Sequence, residues 1–156
     1  MGLIAKGKQL ADYTILETKA LLAASGDEMT RTEAFERAWR LGVSKKDFSL
    51  VDEIYHPDYK AVDVITGVEV NLADDKAQII AFDKEITVGP YKTLSENENF
   101  LKVKNFARFK NEEIFFSGVT SITYKEGKII TQQTTMEDLD YDPSEGQDWK
   151  WEDYEL

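Results

Sequence analysis

The sequence predicts one domain of the α+β class, in which helices precede and cover a curved, mostly antiparallel sheet. Four segments with apolar residues at helical spacing begin before Tyr91, and four strand-like segments follow it. Such a separation is typical of an antiparallel sheet with helices on one face. A chain of 156 residues, 42% of them hydrophobic, fits a single domain with a substantial core.

Start and stop signals delimit the predicted helices. Thr30 and Glu33 have the spacing of a capping box, in which a hydroxyl and a carboxylate satisfy free backbone amides. Pro57 prevents a short helix from continuing. Asp74 and Asp75 suit the positive end of a helix dipole, and Gly89-Pro90 ends that helix. The predicted helices cover residues 4–24, 30–42, 48–55 and 74–86.

β-branched and aromatic residues predict the strands. A first strand over residues 59–65 is followed by a Thr66-Gly67 turn and a short arm over residues 68–70. The later strands cover residues 91–96, 100–109, 113–124 and 128–136, the last two joined by a turn at residues 125–127. We therefore divide the chain into an additional N-terminal helix (1–28), the main domain (29–138) and an acidic, aromatic C-terminal tail (139–156).

Charge and composition exclude several classes of function. Thirty acidic against nineteen basic residues give a net charge of −11, so neither nucleic acid nor a membrane surface is an expected partner. The lack of cysteine excludes disulfides and thiol nucleophiles, and with His56 as the sole histidine we expect no metal or other cofactor. No apolar run approaches the roughly 20 residues that span a bilayer, and Lys6 interrupts the N-terminal apolar residues, so we expect a cytoplasmic protein.

Residues 30–136 resemble the nuclear-transport-factor-2-like (NTF2-like) superfamily, particularly its SnoaL-like and ketosteroid-isomerase-like branches. The resemblance is carried by a helix with Phe35 and Trp39, the segments FSLVDEIY, HPDY and KAVDV, a turn with Gly67, the helix ADDKAQIIAF and the hairpin YKEGKII. It implies a cystatin-like cone with three helices against the sheet. It also implies a small apolar organic ligand and a homodimer formed through the sheet.

Asp63 is the candidate catalytic residue that the resemblance implies. Its offset from Tyr55 matches that of the general-base aspartate in ketosteroid-isomerase-like proteins, and strand alternation places it on the face of Tyr59. Apolar surroundings would raise the pKa of this carboxyl toward useful basicity. The oxyanion-hole tyrosine and second aspartate of those isomerases are not reproduced, since their positions fall near Arg37 and at Val119. SnoaL-like cyclases use a single acid-base carboxylate, so the resemblance to them is less affected by these two missing residues.

Two functional interpretations stay open. In the first, a cofactor-free isomerase, cyclase or hydratase uses Asp63 in an apolar pocket. In the second, the domain is a non-catalytic dimerisation or protein-interaction module. Its aromatic residues then belong to the hydrophobic core, where aromatic residues at helical and strand spacing are more often found. Gln133 belongs to a polar strand that suits a ligand, solvent or a partner subunit. The candidate pocket residues are Phe35, Trp39, Tyr55, Tyr59, Phe106, Phe116 and Gln133.

Two further motifs have alternative interpretations. The His-Pro-Asp tripeptide at residues 56–58 also occurs in the loop of J-domains, but the strand predicted after it argues against that fold and makes His56 a helix-end residue. From residue 137 the chain holds nine acidic side chains and the aromatic residues Trp149, Trp151 and Tyr154. The acids favour a solvated tail, whereas the aromatic residues favour docking on the parent domain or on a partner subunit.

Overall fold

The structure, a computed structural model, describes residues 29–62, 66–82, 85–110 and 112–155. Three helices lie in the first half of this part of the chain, and four long strands follow them. The helices are α1 (Arg31–Lys45), α2 (Ser49–Ile54) and α3 (Leu72–Phe82). The strands are β1 (Tyr55–Val62), β2 (Glu69–Val70), β3 (Ile86–Asn97), β4 (Phe100–Phe109), β5 (Phe115–Lys125) and β6 (Lys128–Leu139), and a short 3-10 helix covers Trp151–Tyr154.

The six strands form one sheet in the order β2-β1-β6-β5-β4-β3. Neighbouring strands are antiparallel except for β1 and β6, which run parallel. The predicted α+β class is therefore confirmed, with helices ahead of an antiparallel meander. None of the described helices is long and apolar enough to cross a membrane.

α1 begins where the sequence predicts but ends later. Thr30 is its N-cap, and the Thr30 hydroxyl accepts a hydrogen bond from the Glu33 N–H at 3.0 Å. The predicted end at Gly42 is wrong, because the helix continues to Lys45. A Cβ atom on Gly42 would lie 2.5 Å from Cε1 of Phe48, so this glycine permits the close approach of an aromatic ring.

β1 and β3 begin earlier than predicted, each with an irregularity in its pairing. β1 starts at Tyr55, beside Ile129 of β6, and its register shifts before Lys60, so the His-Pro-Asp tripeptide lies inside the irregular part of a strand. Gly89-Pro90 does not end a helix but lies in β3, where the register with β4 also shifts. β3 is an edge strand, and the N–H group that proline lacks is dispensable at such an edge.

The main core lies between the helices and one face of the sheet. Aromatic side chains from α1 and β1 meet aliphatic side chains of β4, β5 and β6 there, all of them buried. Trp39 contacts Tyr55 edge to face, with ring centroids 5.9 Å apart. Representative members of this core are Phe35, Trp39, Tyr59, Leu101, Val103 and Ile122.

The C-terminal tail docks on the parent domain. Trp149 stacks on Phe106 with centroids 6.2 Å apart, and Trp151 stacks on Phe115 at 6.0 Å. Trp149, Trp151 and Tyr154 are each at most 9% exposed. Of the two interpretations of the tail, the docked one therefore describes this structure, because the rings leave water by packing on β4 and β5.

Trp149 and Trp151 lie on the face of the sheet opposite to the main core, while Tyr154 reaches Arg40 of α1. Side chains alternate along β4 and β5, so Phe106 and Phe115 project away from the face that carries Leu101 and Ile122. Within the tail, Trp151 Nε1 donates to Asp142 Oδ1 at 3.0 Å. Arg108 of β4 ties the tail to the sheet, since its Nη2 pairs with Glu155 Oε1 at 2.9 Å.

Candidate functional site

A hydrogen bond between Tyr59 and Asp75 joins β1 to α3. Tyr59 Oη donates to Asp75 Oδ2 at 2.9 Å. The pleat of β1 turns Tyr59 toward the helices, where it is 5% exposed. Asn71 starts α3 by accepting the Asp74 N–H at 2.9 Å, which places Asp75 in the first helical turn.

Burial changes the acidity of both partners. Loss of water raises the pKa of Asp75 above its usual range; the charge of Asp74 adds to this effect, while the hydrogen bond from Tyr59 opposes it. Burial also raises the pKa of the Tyr59 phenol, and the negative charge of Asp75 raises it further. The pair thus combines a phenol that stays protonated with a carboxyl that holds its proton to higher pH than usual.

A second hydrogen-bonded chain runs beside this pair. Trp39 Nε1 donates to Tyr55 Oη at 3.0 Å, and Tyr55 Oη donates to Gln132 Oε1 at 2.5 Å. The Tyr55 and Tyr59 rings meet edge to face with centroids 4.7 Å apart. Burial raises the pKa of Tyr55 well above its usual value, so it remains a donor. The four side chains hold one another in fixed orientations.

Two open grooves border Tyr59. A groove of about 530 Å³ lies along β1 and β2, and a groove of about 390 Å³ lies between α2, β1 and the start of α3. Pro57, Tyr59 and Asn71 line both of them. The first is completed by Asp58, Lys60, Glu69 and Val70, and the second by Asp52, Tyr55, His56, Leu72, Ala73 and Lys128.

The sequence-predicted site residues are only partly brought together. Asp63, the candidate catalytic residue, lies outside the described residues. Phe35, Trp39, Tyr55 and Tyr59 meet within the main core, where none is more than 8% exposed. Their spacing therefore serves packing first, and Tyr55 and Tyr59 also reach the grooves.

The other three predicted pocket residues lie elsewhere. Phe116 is buried against Phe109, with ring centroids 5.8 Å apart. Phe106 lies on the opposite face of the sheet under Trp149. Gln133 is exposed, since it pairs with Ser121 on the outer face, whereas its neighbour Gln132 reaches Tyr55.

A buried ion pair in α1 has no counterpart in the sequence predictions. Arg40 Nε donates to Glu36 Oε2 at 2.9 Å, and the other guanidinium nitrogens donate to the carbonyls of Val88 and Gly89 at 2.8 and 2.5 Å. Burial raises the pKa of Glu36, against the opposing charge of Arg40. Tyr154 covers the guanidinium at 4.7 Å. Arg40 therefore ties α1 to the edge strand and to the tail.

A glutamate four residues before an arginine is common on exposed helices, so this spacing in the sequence does not by itself predict a buried ion pair.

His56 has a local role. Its Nδ1 accepts the Asp58 N–H at 3.0 Å, and its Nε2 lies 3.5 Å from Glu126 Oε1. Those contacts order the irregular start of β1. Within the part of the chain that the structure describes, no three histidine, aspartate or glutamate side chains are grouped to hold a metal ion.

Comparison with known proteins gives a structural likeness only. No family model matches the sequence, and no curated protein matches it. An NTF2-like protein from Anabaena variabilis is 11% identical with a TM-score of 0.53, over 67% of this chain and 84% of that one. An NTF2-like protein of unknown function from Burkholderia xenovorans is 15% identical with a TM-score of 0.51, over 71% and 85%. A candidate polyketide cyclase from Sinorhizobium meliloti is 14% identical with a TM-score of 0.50, over 69% and 96%. At such identities the likeness shows a shared fold.

Proposed function

We propose that this chain, which has the NTF2-like fold, binds a small organic molecule at the grooves bordered by Tyr59 and exchanges a proton with it. The observation that carries the proposal is the hydrogen bond that Tyr59, which lines both grooves, donates to Asp75. Raised pKa values at a concave site are typical of groups that handle protons. The likeness in fold to a candidate polyketide cyclase is compatible with this class of chemistry.

The protonation state of Asp75 decides whether the Tyr59 hydroxyl accepts or donates a hydrogen bond to a ligand. While the Asp75 carboxylate is ionised, it accepts the phenol proton, and the Tyr59 oxygen is left as an acceptor. Once Asp75 is protonated, its O–H donates to Tyr59 Oη, and the phenol proton turns toward the groove. One proton on Asp75 thus converts Tyr59 from acceptor to donor, as an acid-base step on an enolisable ketone requires.

Asp63 remains the carboxylate that the family resemblance predicts as the base. Alternation in the predicted strand over residues 59–65 would place Asp63 on the face of Tyr59 and Ala61, both of which are buried toward the helices. We propose that Asp63 removes a proton from carbon while Tyr59, held by Asp75, hydrogen-bonds the carbonyl oxygen. No cofactor takes part in this scheme.

A proton-exchange experiment tests the proposal. With 2-tetralone as the probe in D2O, proton NMR follows the exchange of its α-protons. We expect exchange to be slower by about 10-fold to 1,000-fold in Tyr59→Phe, Asp75→Leu and Asp63→Asn, where Asp75→Leu removes the side chain that holds the Tyr59 hydroxyl. Asp138→Asn is the matched control, because Asp138 is an exposed acid on β6 that lines neither groove.

The outcomes separate the assigned roles. Loss in Asp63→Asn alone would leave Asp63 as the base and remove the Tyr59–Asp75 pair from the chemistry. Equal rates in all four variants and the parent protein would refute proton transfer. Binding without exchange is measured with 2-naphthol by shifts of the Tyr59 ring resonances; no shift at millimolar concentration refutes the ligand site.

A non-catalytic dimerisation module is the second candidate function. The space between the helices and the sheet is filled by aromatic and aliphatic side chains, and the two grooves are open to solvent. The outer face of β6 exposes Thr131, Gln133 and Thr135, a polar surface that suits a partner sheet. A Thr131→Lys/Thr135→Lys variant that converts a dimer to a monomer in light scattering, in a protein without exchange activity, would favour this function.

A further inference from the structure

Two polar side chains of the smaller groove, the one of about 390 Å³ between α2, β1 and the start of α3, are already paired within the protein. Asp52 Oδ1 lies 2.5 Å from Lys76 Nζ, so its negative charge is balanced. Tyr55 Oη accepts from Trp39 and donates to Gln132. Neither side chain therefore decides which ligand the groove takes.

Other side chains of the smaller groove keep a hydrogen-bond donor without an acceptor among the described residues. Lys128 is exposed at the start of β6 and pairs with no acid in the part of the chain that the structure describes. Asn71 uses its side-chain oxygen to accept the Asp74 N–H at 2.9 Å, which leaves its Nδ2 amino group as a donor. The groove thus offers an ammonium group and an amide donor.

His56 supplies a further donor at the same groove. Its Nδ1 accepts the Asp58 N–H at 3.0 Å, so the ring proton lies on Nε2. Nε2 is 3.5 Å from Glu126 Oε1, which is longer than the roughly 2.7–3.2 Å of an N–H···O hydrogen bond. The unengaged side-chain groups of Lys128, Asn71 and His56 are therefore all donors.

The larger groove, of about 530 Å³ along β1 and β2, has the opposite character. Its lysine, Lys60, pairs with Glu69 through Nζ and Oε1 at 3.1 Å. Asp58 adds a second acid to its lining, with a side chain that is 77% exposed. Because two acids there face one cation, a negatively charged ligand group is repelled from the larger groove and is accepted better by the smaller one.

We infer that the smaller groove binds a carboxylate, held by Lys128 with Asn71 and His56 as neutral donors, and that the ligand of this protein is an oxo acid. An ionised carboxylate only accepts hydrogen bonds, and its two oxygens take several donors at once. One lysine matches one negative charge. A phosphate group would add further negative charge beside Glu126 and Asp58, so the carboxylate fits the groove better.

The pairing of β1 with β6 sets the spacing between the two ends of such a ligand. Lys60 pairs with Thr131, so Tyr59 lies about level with the residue before Thr131. That level is two residues beyond Lys128, which corresponds to about 7 Å along a strand. The carboxylate and the ketone of the ligand are therefore separated by several bonds. The ketone end of this inference rests on the proposed function at Tyr59, whereas the carboxylate end rests on the side chains of the groove.

Two probes of the same shape test the carboxylate site in the full chain. At neutral pH 2-naphthoate is ionised and 2-naphthol is not, and NMR titration gives the dissociation constant of each. We expect naphthoate to bind about 3-fold to 5-fold more tightly at low salt, as an exposed ion pair allows, and added salt to remove this difference. Lys128→Gln should abolish the difference and leave the affinity for naphthol unchanged.

Two further variants separate a local contact from the overall charge. Lys92→Gln removes the same charge from an exposed lysine of β3, the edge strand farthest from β1 and β2, and should leave naphthoate binding unchanged. Glu126→Gln should act in the opposite direction to Lys128→Gln and raise the affinity for naphthoate by about 2-fold, because the acid beside His56 Nε2 no longer repels the ligand.

The outcomes distinguish this inference from the proposed function. Naphthoate that binds no more tightly than naphthol, or that loses affinity equally in Lys92→Gln and Lys128→Gln, overturns the carboxylate site; exchange of 2-tetralone protons would then still support proton transfer at Tyr59. Naphthoate binding that depends on Lys128 in a protein without exchange activity supports the carboxylate site and refutes the proton chemistry. Tighter binding of 2-naphthyl phosphate than of naphthoate would overturn the choice of a carboxylate.

Discussion

Replacing Trp151 by alanine measures how much the docked tail stabilises the domain. Trp151 is 3% exposed, stacks on Phe115 and meets Trp149 edge to face at 5.0 Å. Buried tryptophan-to-alanine changes cost about 3–5 kcal/mol, and the lost hydrogen bond to Asp142 adds about 1 kcal/mol. The site lies at the margin of the domain and can partly collapse, so we expect a loss of about 3 kcal/mol in the free energy of unfolding.

Urea denaturation followed by far-UV circular dichroism gives this quantity without relying on tryptophan fluorescence. With a denaturant slope of about 2 kcal/mol/M, the midpoint should fall by about 1.5 M while the slope stays unchanged. Tyr141→Ala is the matched control, since Tyr141 is in the same tail but 53% exposed, and should cost less than about 0.5 kcal/mol. Equal shifts for Trp151→Ala and Tyr141→Ala would refute docking and restore the solvated interpretation of the acidic tail.

Two further predictions concern α1 and the Tyr59–Asp75 pair. Gly42→Ala should lower the free energy of unfolding by about 1–2 kcal/mol in thermal melts, because its Cβ would meet the Phe48 ring. Alanine is the better helix former, so in a Phe48→Ala background the same change should raise the free energy of unfolding. Carbon NMR of the Asp75 carboxyl should show its pKa rising in Tyr59→Phe, which removes a stabilising donor, and falling in Asp74→Asn, which removes a nearby negative charge. The pKa of Asp75 in the folded state lies above the usual 3.8, so the folded state keeps this proton to a higher pH than the unfolded state does. The free energy of unfolding, compared with that of Asp75→Asn, should therefore fall as the pH rises from about 3.8 through the pKa of the folded state. An unchanged titration of Asp75 in both neighbouring variants would contradict the assigned contacts.

Signals that act over a few residues were predicted from the sequence alone. The Thr30 cap sets the start of α1 because its hydroxyl meets an amide three residues away. The hairpin between β5 and β6 turns at Glu126 and Gly127, both with positive φ, as a two-residue loop of the predicted kind requires. With the order of helices and strands, such local signals were enough for the α+β class, while the NTF2-like fold was implied by the family resemblance of residues 30–136.

Local signals failed where a distant partner determines the conformation. Gly89-Pro90 has the composition of a helix end, but the pairing of β3 with β4 makes it part of an edge strand. Tyr55 joins β1 because β6 lies beside it, although more than 70 residues separate it from Ile129. Proline and glycine limit what a segment can do, and neighbouring strands then select among the conformations that remain.

The functional pairings depend wholly on tertiary structure. Asp75 reads in the sequence as a residue that favours a helix start, and only its 2.9 Å contact with Tyr59 makes it a candidate for proton transfer. Phe106 reads as a pocket residue, but β4 turns it to the outer face, where Trp149 covers it. The sequence determined which side chains are available and the periodicity of each element. Packing between elements far apart in the chain decided which face of each element is buried and which side chains it contacts. The reason is that burial and electrostatic interaction depend on separation in space, not on separation along the sequence.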